Sequence, residues 1–156
     1  VVLWESMACT LYIARHHGKG DGTDLAPANA HEDAEALRWS FWTVNALEAD
    51  ALTVLMHRLA MPPEQRKPDL AEAAEKRLHV PLRVLEQHLQ RQAARGQEHL
   101  AAARFTVADL CTASVLGWTK PARSLLEAFP ATQAWLTRCL ERPAQQAMRA
   151  LARQQH

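Results

Sequence analysis

The sequence predicts an all-α helical bundle preceded by a short strand and one helix. Long stretches with little or no Gly and Pro carry apolar residues at every third or fourth position, which is the spacing of one helical face. Prolines and glycines gather between these stretches and mark loops. A continuous β-branched apolar run stands at residues 1–4, "VVLW", and predicts a strand. Because one strand cannot form a sheet, the helices are expected to build the core.

Length, charge and cysteine use define the class of protein. The chain has 156 residues, which favours one domain or one domain with a piece of another. Eighteen basic and seventeen acidic residues are interspersed and give a net charge of +1, so neither a nucleic-acid nor a membrane partner is expected. The three cysteines form no CxxC pair and lie in apolar helical patterns, which points to the reducing cytoplasm. Because the chain opens on Val inside a strand pattern, we expect residues upstream of it.

The first helix is predicted to follow the strand directly. Ser6 suits an N-cap, and the helix ends near the loop "HHGKGDG". The Glu5-Ser6 step can therefore be an ordinary cap, or the unpaired amides of the helix end can bind an anion. From these residues alone both interpretations stay open.

A helical hairpin is predicted to follow. Asn29 and Glu32 form an Asn-x-x-Glu capping box, and one unbroken helix runs from there to about Leu59. Its predicted buried stripe is Leu37, Phe41, Val44, Leu52, Leu55 and Leu59. After "MPPEQRKPD", a second helix is expected from about Asp69 to Arg95, with a kink at Pro81 and a stop at Gly96; its stripe is Leu70, Ala74, Leu78, Leu82, Leu85 and Leu89.

The segment "RFTVADLCTASVLGW" predicts the central buried helix. Thr106 and Asp109 can form a capping box, and Phe105 and Leu110 occupy the two positions of a hydrophobic staple. The helix after this start, from Val107 to about Trp118, is apolar nearly all round. Further helices are predicted at "SLLEAF", at "ATQAWLTRCLERP" and from Ala144 to about Arg153.

Eight histidines prompt a test for a metal site. Adjacent His16 and His17 diverge on a helix, and the one metal-like spacing is Glu75 with His79, one turn apart. Two such residues do not complete a coordination sphere. No metal site is therefore predicted.

The ordered set of elements resembles the cytosolic glutathione S-transferase family, bacterial type. The Glu-Ser step, Tyr12-Ile13-Ala14, a linker with Leu25 and Pro27, "FTVADL" and "FPATQAWLTRCLERP" follow the family order. The resemblance implies that residues 1–20 are the last strand and helix of a thioredoxin-like domain, residues 21–29 a linker and residues 30–153 the complete helical domain. The usual Gly-acidic turn before "FT" is replaced by "LAAAR", so residues 97–104 either continue the preceding helix or take another path.

The resemblance also implies a site. Glu5 and Ser6 would bind the γ-glutamyl end of glutathione, while the Tyr, Ser or Cys that activates the thiol would lie upstream of Val1, so no catalytic residue is assigned. Trp39, Trp42 and Asn45 are candidates for a hydrophobic-substrate pocket or an interface, and Phe41 is assigned to the core. The implied protein is a cytoplasmic homodimer that conjugates glutathione to a hydrophobic electrophile. The alternative is a non-catalytic helical interaction module of the same family.

Overall fold

The described part of the chain, residues 1–18 and 24–154, forms a bundle of seven α-helices. A computed structural model describes residues 1–18 and 24–154. Within these residues no strand is present, which confirms the all-α fold class. The predicted loop glycines at 20 and 22, the end of the 1–20 segment and the first part of the 21–29 linker lie outside the described residues. The α-helices are α1 Ser6–His17, α2 Ala30–Trp42, α3 Ala49–Leu55, α4 Pro68–Ala93, α5 Val107–Leu116, α6 Pro130–Leu140 and α7 Pro143–Gln154.

The predicted N-terminal strand is wrong. Residues 1–4 have no regular structure, and all four are exposed. A strand needs a neighbour to pair its N–H and C=O groups, and the described chain offers none. Ser6 as the N-cap is also wrong, because α1 already begins at Ser6 and Glu5 occupies the cap position.

The first long helix of the hairpin is continuous but not uniformly α-helical. Helices α2 and α3 are joined by a π-helical segment, Thr43–Glu48, and a second one, Met56–Ala60, follows α3. The backbone is therefore helical from Ala30 to Ala60, as predicted. A π turn holds more residues than an α turn and shifts the direction in which later side chains point.

The predicted buried stripe of this helix is mostly wrong. Phe41, assigned to the core, is 65% exposed, and Val44, Leu52 and Leu59 are also exposed. The face that is buried carries small, polar and large residues together: Ala36, Trp39, Ser40, Thr43, Leu47, Ala51 and Val54. Small side chains allow α5 to approach closely, and there the buried hydroxyls of Thr43 and Thr112 share a hydrogen bond of 2.9 Å. A prediction that counts only large apolar residues therefore selects the exposed face of this helix instead of the buried one.

Helix α4 agrees more closely with the sequence pattern. Its stripe is buried as predicted except at Leu70, whose place is taken by Ala71, and the helix continues through Pro81. Gly96 adopts φ 70 just after the helix. The Gly96 N–H donates to the Ala93 carbonyl and the Gln97 N–H to the Gln92 carbonyl, each at 2.9 Å, as in a Schellman motif. The helix thus stops where Gly was predicted to stop it.

Residues 97–104 form a loop, so the preceding helix does not continue through them. Arg104 holds this loop against the first turn of α2 and the chain before it. Its guanidinium donates to Glu32 Oε2 at 2.8 Å and to the Ala26 carbonyl at 2.7 Å. These two bonds hold the loop that stands in place of the Gly-acidic turn of the family pattern.

Asp109 joins three parts of the bundle. Its carboxylate is 0% exposed and completes the predicted capping box at the start of α5, accepting from the Thr106 N–H at 3.0 Å. Oδ1 accepts from the Leu100 N–H at 2.9 Å and from Trp135 Nε1–H at 3.0 Å. One side chain therefore fixes α5, the 97–104 loop and α6 together. Phe105 and Leu110 line a common cavity, while their staple contact stays a prediction.

Glu86 of α4 caps α6 from another helix. Pro130 begins α6, and Phe129 before it supplies no capping side chain. Glu86 accepts instead from the Ala131 N–H at 3.0 Å, and from the N–H and hydroxyl of Thr132 at 2.8 Å each. A carboxylate at a helix N-terminus satisfies unpaired donors and complements the helix dipole.

The predicted helix at "SLLEAF" is wrong. These residues form successive turns, in which Leu125 N–H donates to Ala122, Glu127 N–H to Ser124 and Phe129 N–H to Leu126. Each bond spans three residues and none spans four, because Pro130 follows too soon for an α-helix to propagate. The last two helices, α6 and α7, occupy the predicted positions.

Asp109→Asn is expected to destabilise the fold by roughly 2–4 kcal/mol, because an amide nitrogen would replace one of two buried acceptor oxygens. Urea unfolding followed by circular dichroism measures the change. Asp50→Asn is the matched control, since Asp50 pairs with the exposed Arg77 and should cost less than about 1 kcal/mol. Equal losses for the two variants would contradict the central role of Asp109.

Candidate functional site

The N-terminus of α1 combines an open helix end with an unusual backbone. Glu5 has φ 70 and ψ 114, and it is the one non-Gly residue with positive φ in the described part of the chain. The first helical bond runs from the Cys9 N–H to the Glu5 carbonyl at 3.0 Å. The amides of residues 6–8 therefore precede the helical ladder and point out of the helix end. A strained residue of this kind is a pointer to function.

The side chains at this helix end are accessible. Glu5 and Ser6 are both exposed, and the Glu5 carboxylate makes no capping bond to α1. The Ser6 carbonyl accepts from Thr10 Oγ1 at 2.8 Å, a bond inside the helix that leaves the Ser6 hydroxyl available. An anion placed here would meet backbone N–H groups, a hydroxyl and the positive end of the helix dipole. A cationic group beside it would meet the Glu5 carboxylate.

Helix α1 is positioned by packing against α5 and α2. Leu11 and Ala14 are buried in a small cluster with residues of those two helices, Ala36, Val107 and Cys111. Arg15 of α1 forms an ion pair with Asp33 of α2. The helix end that carries Glu5 and Ser6 is therefore presented by a packed helix rather than by a loose terminus.

The two buried thiols do not supply a nucleophile. Burial raises the pKa of Cys111 to about 11. Burial, with a smaller contribution from the negative charge of Asp109, raises the pKa of Cys139 to about 12. Because the thiolate is the reactive form, both side chains are protonated and inert near neutral pH.

The predicted aromatic pocket is only partly compatible with the structure. Trp39 is 2% exposed and packs edge-on against Trp42 and His88, with ring centroids 5.1 and 4.7 Å away. It belongs to the core because it lies on the side of the helix that faces α5 and α4, so its assignment to a pocket or interface is corrected. Trp42 is half-buried and Asn45 is exposed, with its amide donating to the Phe41 carbonyl at 2.7 Å. Their role stays a prediction.

A cavity beside α1 was not apparent from the sequence pattern. It has a volume of about 480 Å³, lies between α1, residues 24–25 and the first turn of α5, and is lined by Ile13, Leu25 and Leu110 among others. These residues are distant in sequence, and only the packing of α1 on α5 brings them together. Ile13 is 58% exposed in the structure, and the sequence alone gives no sign that this apolar residue faces a cavity.

The Glu75–His79 spacing and the lengths of the helices bear on metal ligation and on membrane crossing. Residues 1–18 and 24–154 bring no three His, Cys, Asp or Glu side chains together as a metal site would need. Glu75 pairs with Arg58 at 2.8 Å and His79 packs against Phe129, so the metal-like spacing serves packing. None of the helices in this part of the chain is long and apolar enough to cross a membrane.

Comparison with solved structures gives strong matches. Glutathione S-transferase III in its apo form has 30% identity and a TM-score of 0.80, over 96% of this chain and 68% of that one. Glutathione S-transferase I, solved with lactoylglutathione, has 26% identity and a TM-score of 0.77, over 97% and 70%. A possible glutathione S-transferase from Rhodopseudomonas palustris has 28% identity and a TM-score of 0.71, over 90% and 59%.

A search of curated proteins finds no match to the sequence. The comparison with protein families, in contrast, agrees with the solved structures. Residues 49–143 match the family described as glutathione S-transferase, C-terminal domain, a range that includes α3 to α6 and the Asp109 capping box. This match covers more than half of the chain, and the solved structures extend the similarity to α1. The chain therefore belongs to the glutathione S-transferase family and carries its C-terminal helical domain.

Proposed function

We propose that the full-length protein is a glutathione transferase that joins the glutathione thiolate to a hydrophobic electrophile. The observation that carries this proposal is the open N-terminus of α1, with the strained Glu5 and the exposed Ser6. The similarity to a glutathione S-transferase solved with lactoylglutathione supports a glutathione-type ligand. Residues 1–20 would be the end of a thioredoxin-like domain, residues 21–29 the linker and residues 30–153 the helical domain.

The polar end of glutathione suits this helix terminus. Its γ-glutamyl α-carboxylate is an anion that the N–H and hydroxyl of Ser6 can bind, and its ammonium group is a cation that the Glu5 carboxylate can pair with. The positive φ of Glu5 turns the chain sharply before the helix, which leaves the first amides clear of any side-chain cap. The strain at Glu5 would thus be maintained for binding and not for stability.

Chemistry and binding would come from different parts of the protein. The thiol-activating residue would precede Val1, and Tyr12, Ser6 and Cys9 are not assigned that role. The 156-residue chain by itself is therefore expected to bind glutathione weakly and to have no turnover. Trp42 and Asn45 would contribute to the wall that meets the hydrophobic substrate or a partner subunit. Three free cysteines are compatible with a cytoplasmic location.

We further propose that the protein is a homodimer through the outer side of the hairpin. Phe41, Val44 and Leu52 expose large apolar side chains along the first helix, and Val80 and Val84 do so on α4. Exposed apolar rows of this length usually mark an interface. A second copy of the same chain would bury them.

Ser6→Ala in the full-length protein is expected to raise the KM for glutathione about 5- to 30-fold with little change in kcat. The lost hydroxyl contributes roughly 1–2 kcal/mol of binding to a charged group, equally in ground and transition states. Initial rates with an aromatic halide measure both constants. Ser114→Ala is the control, because the exposed Ser114 hydroxyl bonds only within its own helix. An unchanged KM would contradict the assignment.

Glutathione binding with no turnover in the wild-type full-length protein would favour the alternative function, a non-catalytic interaction module.

Glu5→Gly and Glu5→Gln are expected to differ in their effect on the free energy of unfolding. Gly adopts φ 70 without strain, so Glu5→Gly should raise the free energy of unfolding by up to about 1 kcal/mol, while Glu5→Gln keeps the strain. Both variants lose the carboxylate and should weaken glutathione binding. Urea unfolding and calorimetric titration measure the two quantities. A Glu5→Gly variant that is less stable would show that the strain does not exist.

Phe41→Glu together with Val44→Glu is expected to convert the full-length dimer to a monomer, because two carboxylates would be buried in an apolar interface. Light scattering coupled to size-exclusion chromatography measures the mass. Met148→Glu is the control, since Met148 is a similarly exposed apolar residue on α7. A variant that remains dimeric would place the interface elsewhere.

A further inference from the structure

A cavity with several basic residues in its lining lies among the C-terminal elements of the bundle. Its volume is about 360 Å³, and it is lined by the turns that follow α5, by α6 and by α7. Lys120 and Arg123 come from the turns, and Arg149 comes from α7. Helix α1 contributes nothing to its lining. The cavity is therefore separate from the proposed glutathione site.

The charges around this cavity are not balanced. Lys120, Arg123 and Arg149 face a single carboxylate, that of Glu141. Within the described part of the chain, five other arginines each have an acidic partner: Arg15, Arg38, Arg58, Arg77 and Arg104. The three cations of the cavity form no ion pair with any residue in the described part of the chain. A concave surface of one sign concentrates ions of the opposite sign.

Lys120 and Arg149 are close enough to disturb each other. Burial lowers the pKa of the Lys120 ammonium, and the positive charge of Arg149 lowers it further, while Glu141 acts in the opposite direction. Two cations that line one cavity repel each other, and an anion bound between them would remove that repulsion. The fold thus holds a pair of like charges that a bound anion would stabilise.

The other groups in the cavity are suited to an oxyanion. Gln133 and Thr137 of α6 add an amide and a hydroxyl donor, and arginine presents a planar fork that matches two oxygens of a phosphate. Leu126, Leu136 and Leu140 supply apolar surface next to these donors. We propose that this cavity binds phosphate, either as the free ion or as the head of a small phosphate monoester whose apolar part contacts the leucines.

Calorimetric titration of the full-length protein with sodium phosphate tests the proposal, with sodium chloride at equal ionic strength as the blank. Half-saturation is expected near or below about 1 mM for wild type. Lys120→Gln together with Arg149→Gln should weaken binding at least tenfold. The double variant should also remain folded, because it removes a repulsive pair. Arg83→Gln, which removes an exposed cation of α4, is the control and should bind as wild type does.

Thermal unfolding gives a second measurement that does not depend on heat of binding. Phosphate stabilises proteins in general, so the informative quantity is the difference in Tm increase between wild type and the double variant in the same buffer. Tighter binding of phenyl phosphate than of inorganic phosphate would assign the site to a monoester, and equal binding would assign it to the free ion. Binding no stronger than the chloride blank, or equal loss in Arg83→Gln, would overturn the proposal.

Discussion

The buried carboxylate of Asp109 is the interaction on which the rest of the bundle depends. It accepts from the start of its own helix, from the loop at Leu100 and from the indole of Trp135 on α6. A charged group with no exposure is tolerated only when its oxygens are satisfied by donors, and here the donors come from three separate segments. The requirement to solvate one carboxylate therefore fixes the relative position of those segments, and α1 is in turn packed against the helix that Asp109 begins.

Sequence patterns succeed where the cause is local. Thr106 and Asp109 are three residues apart, so a capping box can be recognised from the sequence and is present in the structure. Gly96 is similarly predictable, because a helix stop with positive φ favours Gly. Trp39 and Phe41 show the limit. Which of two apolar faces is buried depends on how closely α5 approaches. Small residues such as Ala36, which packs against Val107 and Cys111, permit that approach and carry little signal of their own.

The candidate site likewise has features that the sequence predicts and features that depend on the folded backbone. The Glu5-Ser6 step could be located from the sequence, since a helix start and a family order both point to it. Its strained backbone could not, because nothing in a Glu side chain favours φ 70. The cap of α6 by Glu86 and the basic cavity are likewise made by residues far apart in the chain, which only the packing of α4, α6 and α7 brings together.

The π-helical segment between α2 and α3 determines which side chains of the long first helix face the core. Thr43–Glu48 lies between the part of the helix that contacts α1 and α5 and the part that packs along α4. Removing one residue from this segment would restore α-helical winding and rotate α2 by roughly 100° relative to α3. Trp39 would then leave the core while Leu47 and Val54 stayed in it. The extra residue of the π-helical turn changes the direction in which the following side chains point. One continuous helix can therefore pack against α5 in its first part and against α4 in its second part.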